Sequence, residues 1–200
     1  MSIVLYWHPM SSATPIACSL AELEVPHERV KVDIRTGEQR RPEYLALNPN
    51  GKVPTITTDG APMFEALAIQ LWLGETYGVE RGLWPAAGTP ERLQAMSWCT
   101  WSYVTYGAQL MRQQAAMDAG TPDDAHGTAA RKSMDELLGL LDDRLGHQPW
   151  MMGEAYSLVD LVVGSVIGYS AYIGAPVASH PITLAWLQKV QARPAMQIEG

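Results

Sequence analysis

The chain is predicted to fold as two parts of different class: an α/β domain over residues 1–78 with element order βαβαββα, and an all-α helical bundle over residues 91–200, joined by a linker at 79–90. Three observations predict this. Short β-prone runs alternate with amphipathic helical stretches as far as Gly78, and Pro85, Gly88 and Pro90 then crowd one segment. From Glu91 onward strand signals vanish and helical periodicity takes over. The 200 residues can bury a sizeable core, and 47% hydrophobic with 18% charged residues is the balance of an ordinary globular protein.

Ile3-Val4-Leu5-Tyr6-Trp7 is an apolar, β-prone run ended by His8-Pro9, and reads as a buried strand. Ser12 or Thr14 can cap the helix that follows, Pro15 suits its first turn, and Ile16, Leu20 and Leu23 recur on one face until Val25-Pro26 stops it. Val30, Val32 and Ile34 alternate with Arg29, Lys31 and Asp33 as a second strand. The intervening helix makes this a βαβ unit, so parallel pairing is expected. Residues 35–47 are polar and read as a loop with a short helix. Next come a turn, a strand at Thr55-Ile56-Thr57, an Asp59-Gly60 hairpin and a second strand; Leu67, Ile69, Leu71, Leu73 and Tyr77 then carry a helix to Gly78.

In the second part, Gly120-Thr121-Pro122-Asp123-Asp124 breaks the first helix pair, and Leu137, Leu138, Leu141 and Leu145 mark a core face. Ser157-Leu158-Val159-Asp160 before a long apolar run is a variant capping box, with Tyr156 and Leu161 placed as a staple.

The stretch 48–68 organises the rest. A proline cannot donate to a sheet ladder, so Pro54 must open its strand or hold a special turn. A cis Val53-Pro54 bond is one such turn. Its use is to leave the Val53 N–H and C=O outward, where an extended peptide can pair as an added strand.

A formal charge of −7 argues against nucleic acid or an anionic membrane as the main partner. No apolar run reaches the ~20 residues of a membrane span, and no signal-like segment precedes the first strand, so a cytoplasmic location is expected. Cys18 and Cys99 stand alone, with no Cys-x-x-Cys or His-x-x-x-His pairing, so no metal or dithiol site is expected.

Asn48-Pro49-Asn50-Gly51-Lys52-Val53-Pro54, followed a hairpin later by Glu65-Ala66-Leu67-Ala68-Ile69, resembles the paired motifs of the cytosolic glutathione transferases. In that family the first domain is thioredoxin-like, in agreement with βαβαββα, and the second is a helical bundle whose central helix opens with a glycine, serine and aspartate box. Gly153, Ser157 and Asp160 resemble that box, one residue wider at the glycine end. His8-Pro9-Met10-Ser11-Ser12-Ala13-Thr14 is similar to the matching stretch of the phi class, which activates glutathione with a serine.

The resemblance implies glutathione as co-substrate, a small apolar electrophile as second substrate, and a homodimer. A thiol of pKa ~8.5 is only ~3% ionised at neutral pH, and a hundredfold gain in its ionisation constant needs about 2.7 kcal/mol. One hydroxyl donor to a charged sulfur supplies about 1.5–3 kcal/mol, and a helix N-terminus adds a few tenths. Residue-by-residue matching puts the activating serine on Ser11, with Ser12 as second candidate; the other reading of both is cap and turn. Val53 and Pro54 would hold the ligand's backbone and Glu65 its amino group. Gln39 and Arg40, matching a His-Lys pair, would hold its glycyl carboxylate beside Lys52. A solvated basic loop and a dipole-compensating Glu65 are the competing readings. Ala66 departs from the family, which has a serine there for the γ-glutamyl carboxylate. The missing hydroxyl removes about 1.5–3 kcal/mol and leaves the Ala66 N–H. Trp98, Trp101, Tyr103 and Met111 read as helix core, dimer surface or substrate pocket.

The expected activity is conjugation of a serine-activated glutathione thiolate to small apolar electrophiles. Two alternatives remain open: a non-catalytic binding relative, which Ala66 favours, and a glutathione-dependent peroxidase.

Overall fold

The structure, a computed structural model, describes residues 2–198. Its contacts divide the chain into two units. The first holds residues 2–81 with 194–198, and the second residues 82–193.

The first unit is a four-stranded mixed sheet with helices. Strands β1 (Ile3–Trp7), β2 (Glu28–Lys31), β3 (Thr55–Thr58) and β4 (Ala61–Phe64) lie in the order β2-β1-β3-β4. β1 pairs parallel with β2 and antiparallel with β3, which in turn pairs antiparallel with β4. Ile3, Leu5 and Trp7 alternate inward from β1, and α1 (Thr14–Glu22) buries Ile16 and Leu20 completely. The hairpin turns on Asp59 and Gly60, both at positive φ (49° and 86°), the two-residue geometry whose twist suits paired strands. After the short α2 (Pro42–Leu45) and the hairpin comes α3 (Ala66–Leu73), which continues as a π turn over Gly74–Gly78.

Two expectations are corrected here. The second strand covers Glu28–Lys31, not Val30 to Ile34, because β1 ends at Trp7 ahead of His8-Pro9 and offers only the Trp7 carbonyl, 2.8 Å from the Val32 amide, beyond its last pair with Lys31. Pro194–Met196, expected in the helical part, packs instead against α1.

The helical unit contains α4 (Pro90–Trp101), α5 (Gly107–Asp118), α6 (Ala125–Gly146), α7 (Leu158–Tyr172) and α8 (Pro181–Gln191), with a π turn at Ser102–Tyr106. Leu138, Leu141 and Leu145 face the core together with Met134, while Leu137 is half-buried. Asp160, fully buried, accepts from the amides of Met151 (2.7 Å) and Ser157 (2.9 Å), the Ser157 hydroxyl (2.9 Å) and the Trp186 indole (2.9 Å). Four donors thus converge on one carboxylate at the start of α7 and join it to α8 and to the loop before it.

Candidate functional site

Ser11 closes the loop between β1 and α1. Its hydroxyl donates to the His8 carbonyl at 2.6 Å and accepts from the Ala13 amide at 3.1 Å, and the residue is half-buried. His8 is itself anchored, with Nδ1 3.0 Å from the Val32 carbonyl. Met10, at φ 55°, supplies the left-handed step that lets the loop double back. Ser12 differs. It is exposed, and its hydroxyl donates across 41 residues of sequence to the Val53 carbonyl at 3.0 Å.

The loop carrying Val53 is built by two residues outside the set that the motif resemblance implies. Asn48, 2% exposed, donates from its amide nitrogen to the Lys52 carbonyl (2.8 Å) and the Thr55 hydroxyl (3.2 Å) and accepts from the Asn50 amide (3.0 Å). The Tyr44 hydroxyl meets the same two groups, at 2.7 Å from the Lys52 carbonyl and 2.9 Å from the Thr55 hydroxyl. Burial raises the Tyr44 pKa further above neutrality. The Val53-Pro54 bond is cis, and among the described residues the Val53 amide has no hydrogen-bond partner. A strand edge is therefore presented with its donor unspent and its acceptor held only by the Ser12 hydroxyl.

Glu65, just before α3, adopts φ 72°, ψ 115°, a conformation that costs a non-glycine residue roughly 1–3 kcal/mol. Its exposed carboxylate accepts from the Asn50 side-chain amide at 3.1 Å. The amides of Ala66 and Leu67, which open the helix, have no partner among the described residues. Ala66 is only 8% exposed, and its methyl group provides no hydroxyl there.

The loop at Gln39 and Arg40 packs on the Asn50-Gly51 turn. A Cβ at Gly51 would lie 2.9 Å from both Arg40 Nη1 and the Gln39 carbonyl oxygen, so glycine permits the approach. Arg40 donates to the Asn50 carbonyl at 3.2 Å. Gln39 turns inward, donating to the Ile34 carbonyl at 3.1 Å, with its Oε1 buried and unpartnered. The Lys52 side chain is exposed. Of the candidate residues, Ser12 meets Val53, and Arg40 and Glu65 meet at Asn50; Ser11 spends its hydroxyl, and Gln39 its amide nitrogen, within their own loops. Asn48 and Asn50 stand inside the 48–54 motif, so the sequence carries their signal, whereas Tyr44 lies outside it in the polar stretch 35–47.

Cys18 and Cys99 are both buried, and burial pushes the Cys18 thiol up to about 11 and Cys99 higher still, so neither is a ready nucleophile. Within the helical unit Tyr106 is core, its hydroxyl 2.7 Å from that of Ser170, and Met111 is exposed.

Comparison with known proteins gives this geometry a family. Residues 10–76 match the glutathione S-transferase N-terminal domain and residues 114–190 the C-terminal domain. The chain is 30% identical over 202 residues to the disulfide-bond oxidoreductase YfcG of Escherichia coli strain K12, with 96% of this chain and 92% of that protein covered. It is likewise 30% identical over 203 residues to glutathione S-transferase hmp2 of Hypomyces subiculosus, with 96% and 95% covered. Among solved structures, that of a sphingomonad glutathione S-transferase complexed with glutathione gives a TM-score of 0.83 at 28% identity, over 96% of this chain and 94% of that one. The thioredoxin-like sheet, the helical bundle and both domain matches agree: the chain belongs to the glutathione S-transferase family.

Proposed function

We propose that the chain is a glutathione transferase that binds glutathione as an added strand on Val53, ionises its thiol with a serine hydroxyl of the β1–α1 loop, and joins the thiolate to a small apolar electrophile. The observation that carries it is the unspent Val53 amide, presented beside a carbonyl held by a single displaceable hydroxyl. Around that edge the ligand's other charges find complements. Glu65 accepts the ligand's amino group, and the open amides of Ala66 and Leu67 at the positive end of α3 receive its γ-glutamyl carboxylate. Arg40, which packs on the Asn50 turn, and the exposed Lys52 take the glycyl carboxylate in this proposal, with Gln39 buttressing the loop.

The chemistry follows from charge. The thiolate is stabilised by an O–H donor and by the N-terminus of α1, where Ala13 precedes Pro15 in the first turn and no acidic side chain competes. The serine keeps its own proton throughout. The protein acts in the cytoplasm as a homodimer in this proposal; sedimentation of the purified chain tests the oligomeric part.

The test of the function is the formation of a thioether from glutathione and an aryl halide, followed by mass. Product above the uncatalysed rate, lost in Glu65→Ala at low glutathione and recovered at high, is expected; no product with any of several electrophile classes contradicts it. A second reading is favoured by one relative, which is named a disulfide-bond oxidoreductase. Glutathione-dependent disulfide reduction would then draw both thiols from glutathione, since Cys18 and Cys99 are buried. Turnover of a small disulfide with release of oxidised glutathione, in the absence of thioether formation, would select it.

A further inference from the structure

We infer that Ser12, not Ser11, donates to the sulfur, and that docking of the ligand's own backbone is what releases it to do so. This rests on the glutathione reading above.

The two hydroxyls are in opposite situations. Ser11 is doubly committed inside a half-buried turn, donating at 2.6 Å and accepting at 3.1 Å; freeing its proton strips the His8 carbonyl of a donor and loosens the loop. Ser12 is exposed and makes one bond, 3.0 Å to the Val53 carbonyl. That carbonyl is also the acceptor an added strand needs. An extended peptide paired with Val53 gives its N–H to the Val53 C=O while accepting the unspent Val53 N–H.

The incoming amide is therefore a second donor on the oxygen that holds Ser12, and sharing that oxygen weakens the bond to the serine hydroxyl. With the cysteinyl residue as the paired one, its Cβ and sulfur branch from the same residue whose N–H reaches the Val53 carbonyl. Ser12 is thus held less tightly at the moment another, charged acceptor arrives within a side chain's length. The thiol S–H bond then breaks heterolytically, the electron pair stays on sulfur, the proton leaves to solvent, and the Ser12 O–H remains intact as the donor. Before docking, Ser12 keeps the Val53 carbonyl occupied; after docking, both acceptors are satisfied.

Three measurements separate this from a merely structural serine. S-methylglutathione has no thiol to ionise, so calorimetry with it reports docking alone. Ser12→Ala should bind it as tightly as the natural chain or more tightly, because the competitor for the Val53 carbonyl is gone. The near-ultraviolet thiolate absorbance of bound glutathione should fall with an ionisation constant ten- to hundred-fold weaker in Ser12→Ala, and recover in Ser12→Thr. A glutathione analogue with an ester in place of the γ-glutamyl–cysteine amide lacks this second donor, and should bind the natural chain without developing the thiolate band.

A full thiolate band in Ser12→Ala, or its loss in Ser11→Ala alone, overturns the assignment to Ser12. Ionisation of the ester analogue equal to that of glutathione overturns the coupling. Absence of S-methylglutathione binding to the natural chain overturns the glutathione reading and this inference with it.

Discussion

The start of α7 and the edge at Val53 are both polar clusters at the end of a loop, and they have opposite balances of donors and acceptors. Asp160 is fully buried and answers four donors, leaving nothing open. At the edge, the Val53 amide is unspent, its carbonyl is held by one exposed hydroxyl, and the first amides of α3 are open beside a backbone at φ 72°. Saturated polar groups hold a fold together. Unsaturated ones at a surface are poised for a ligand to complete them, and strain persists where the surroundings over-determine it.

The sharpest way to break the comparison is at its saturated end. Asp160→Ala leaves the Trp186 indole and the Met151 and Ser157 amides without their acceptor in the core, and should cost about 3–5 kcal/mol in urea unfolding. The glutathione affinity of the molecules that remain folded should be unchanged. Equal losses of stability and affinity would erase the distinction between the two clusters.

Next in size is Ala66→Ser, which places a hydroxyl at the open end of α3. Adding one charge-assisted bond of about 1.5–3 kcal/mol should tighten glutathione binding by roughly ten- to hundred-fold in calorimetry. No change would mean the ligand's carboxylate lies elsewhere. Glu65→Gly should then separate stability from function in a single residue. Glycine relieves the positive φ and should raise stability by about 1 kcal/mol, while removal of the carboxylate weakens glutathione binding. A variant that loses stability would contradict the strain.

The smallest effect is in acid. Burial works to raise the Asp142 carboxyl, but bonds from Thr183 and His180 outweigh it and hold it below the ordinary carboxylate range. The Asp124 carboxyl is lowered chiefly by the Gly127 amide it caps at the start of α6. A depressed folded pKa gives stability that is fully present above the unfolded value near ~4 and is lost as pH falls through the folded one. Asp142→Asn should therefore flatten the drop in urea midpoint below about pH 4 relative to the natural chain. Asp160 lies on the other side: burial raises its carboxyl despite its four donors. An unaltered acid slope in Asp142→Asn would show that Asp142 carries none of it.

What the sequence made legible divides along the same line. The hairpin at Asp59-Gly60, the cap at Ser157 and Asp160, and the α1 core face are local patterns, and each stands where its pattern predicted. β2 lies earlier than its alternation predicts: Val30, Val32 and Ile34 do alternate, and Val32 is 4% exposed, yet pairing is limited by where β1 ends. The return of Pro194–Met196 to α1 and the π turns within the helical stretches arise from packing that no local period encodes. In the site, the motif located the Val53 edge, but which serine faces it depends on the path of a loop turned by Met10 at φ 55°. Adjacent identical residues cannot reveal that.

The central claim is tested most directly by backbone amide exchange at Val53, followed by NMR as glutathione is added. The Val53 N–H should exchange rapidly in the unliganded chain and become protected in step with saturation, as a strand partner forms. Saturation with glutathione that leaves the Val53 amide as exposed to solvent as before would contradict the added-strand mode of binding.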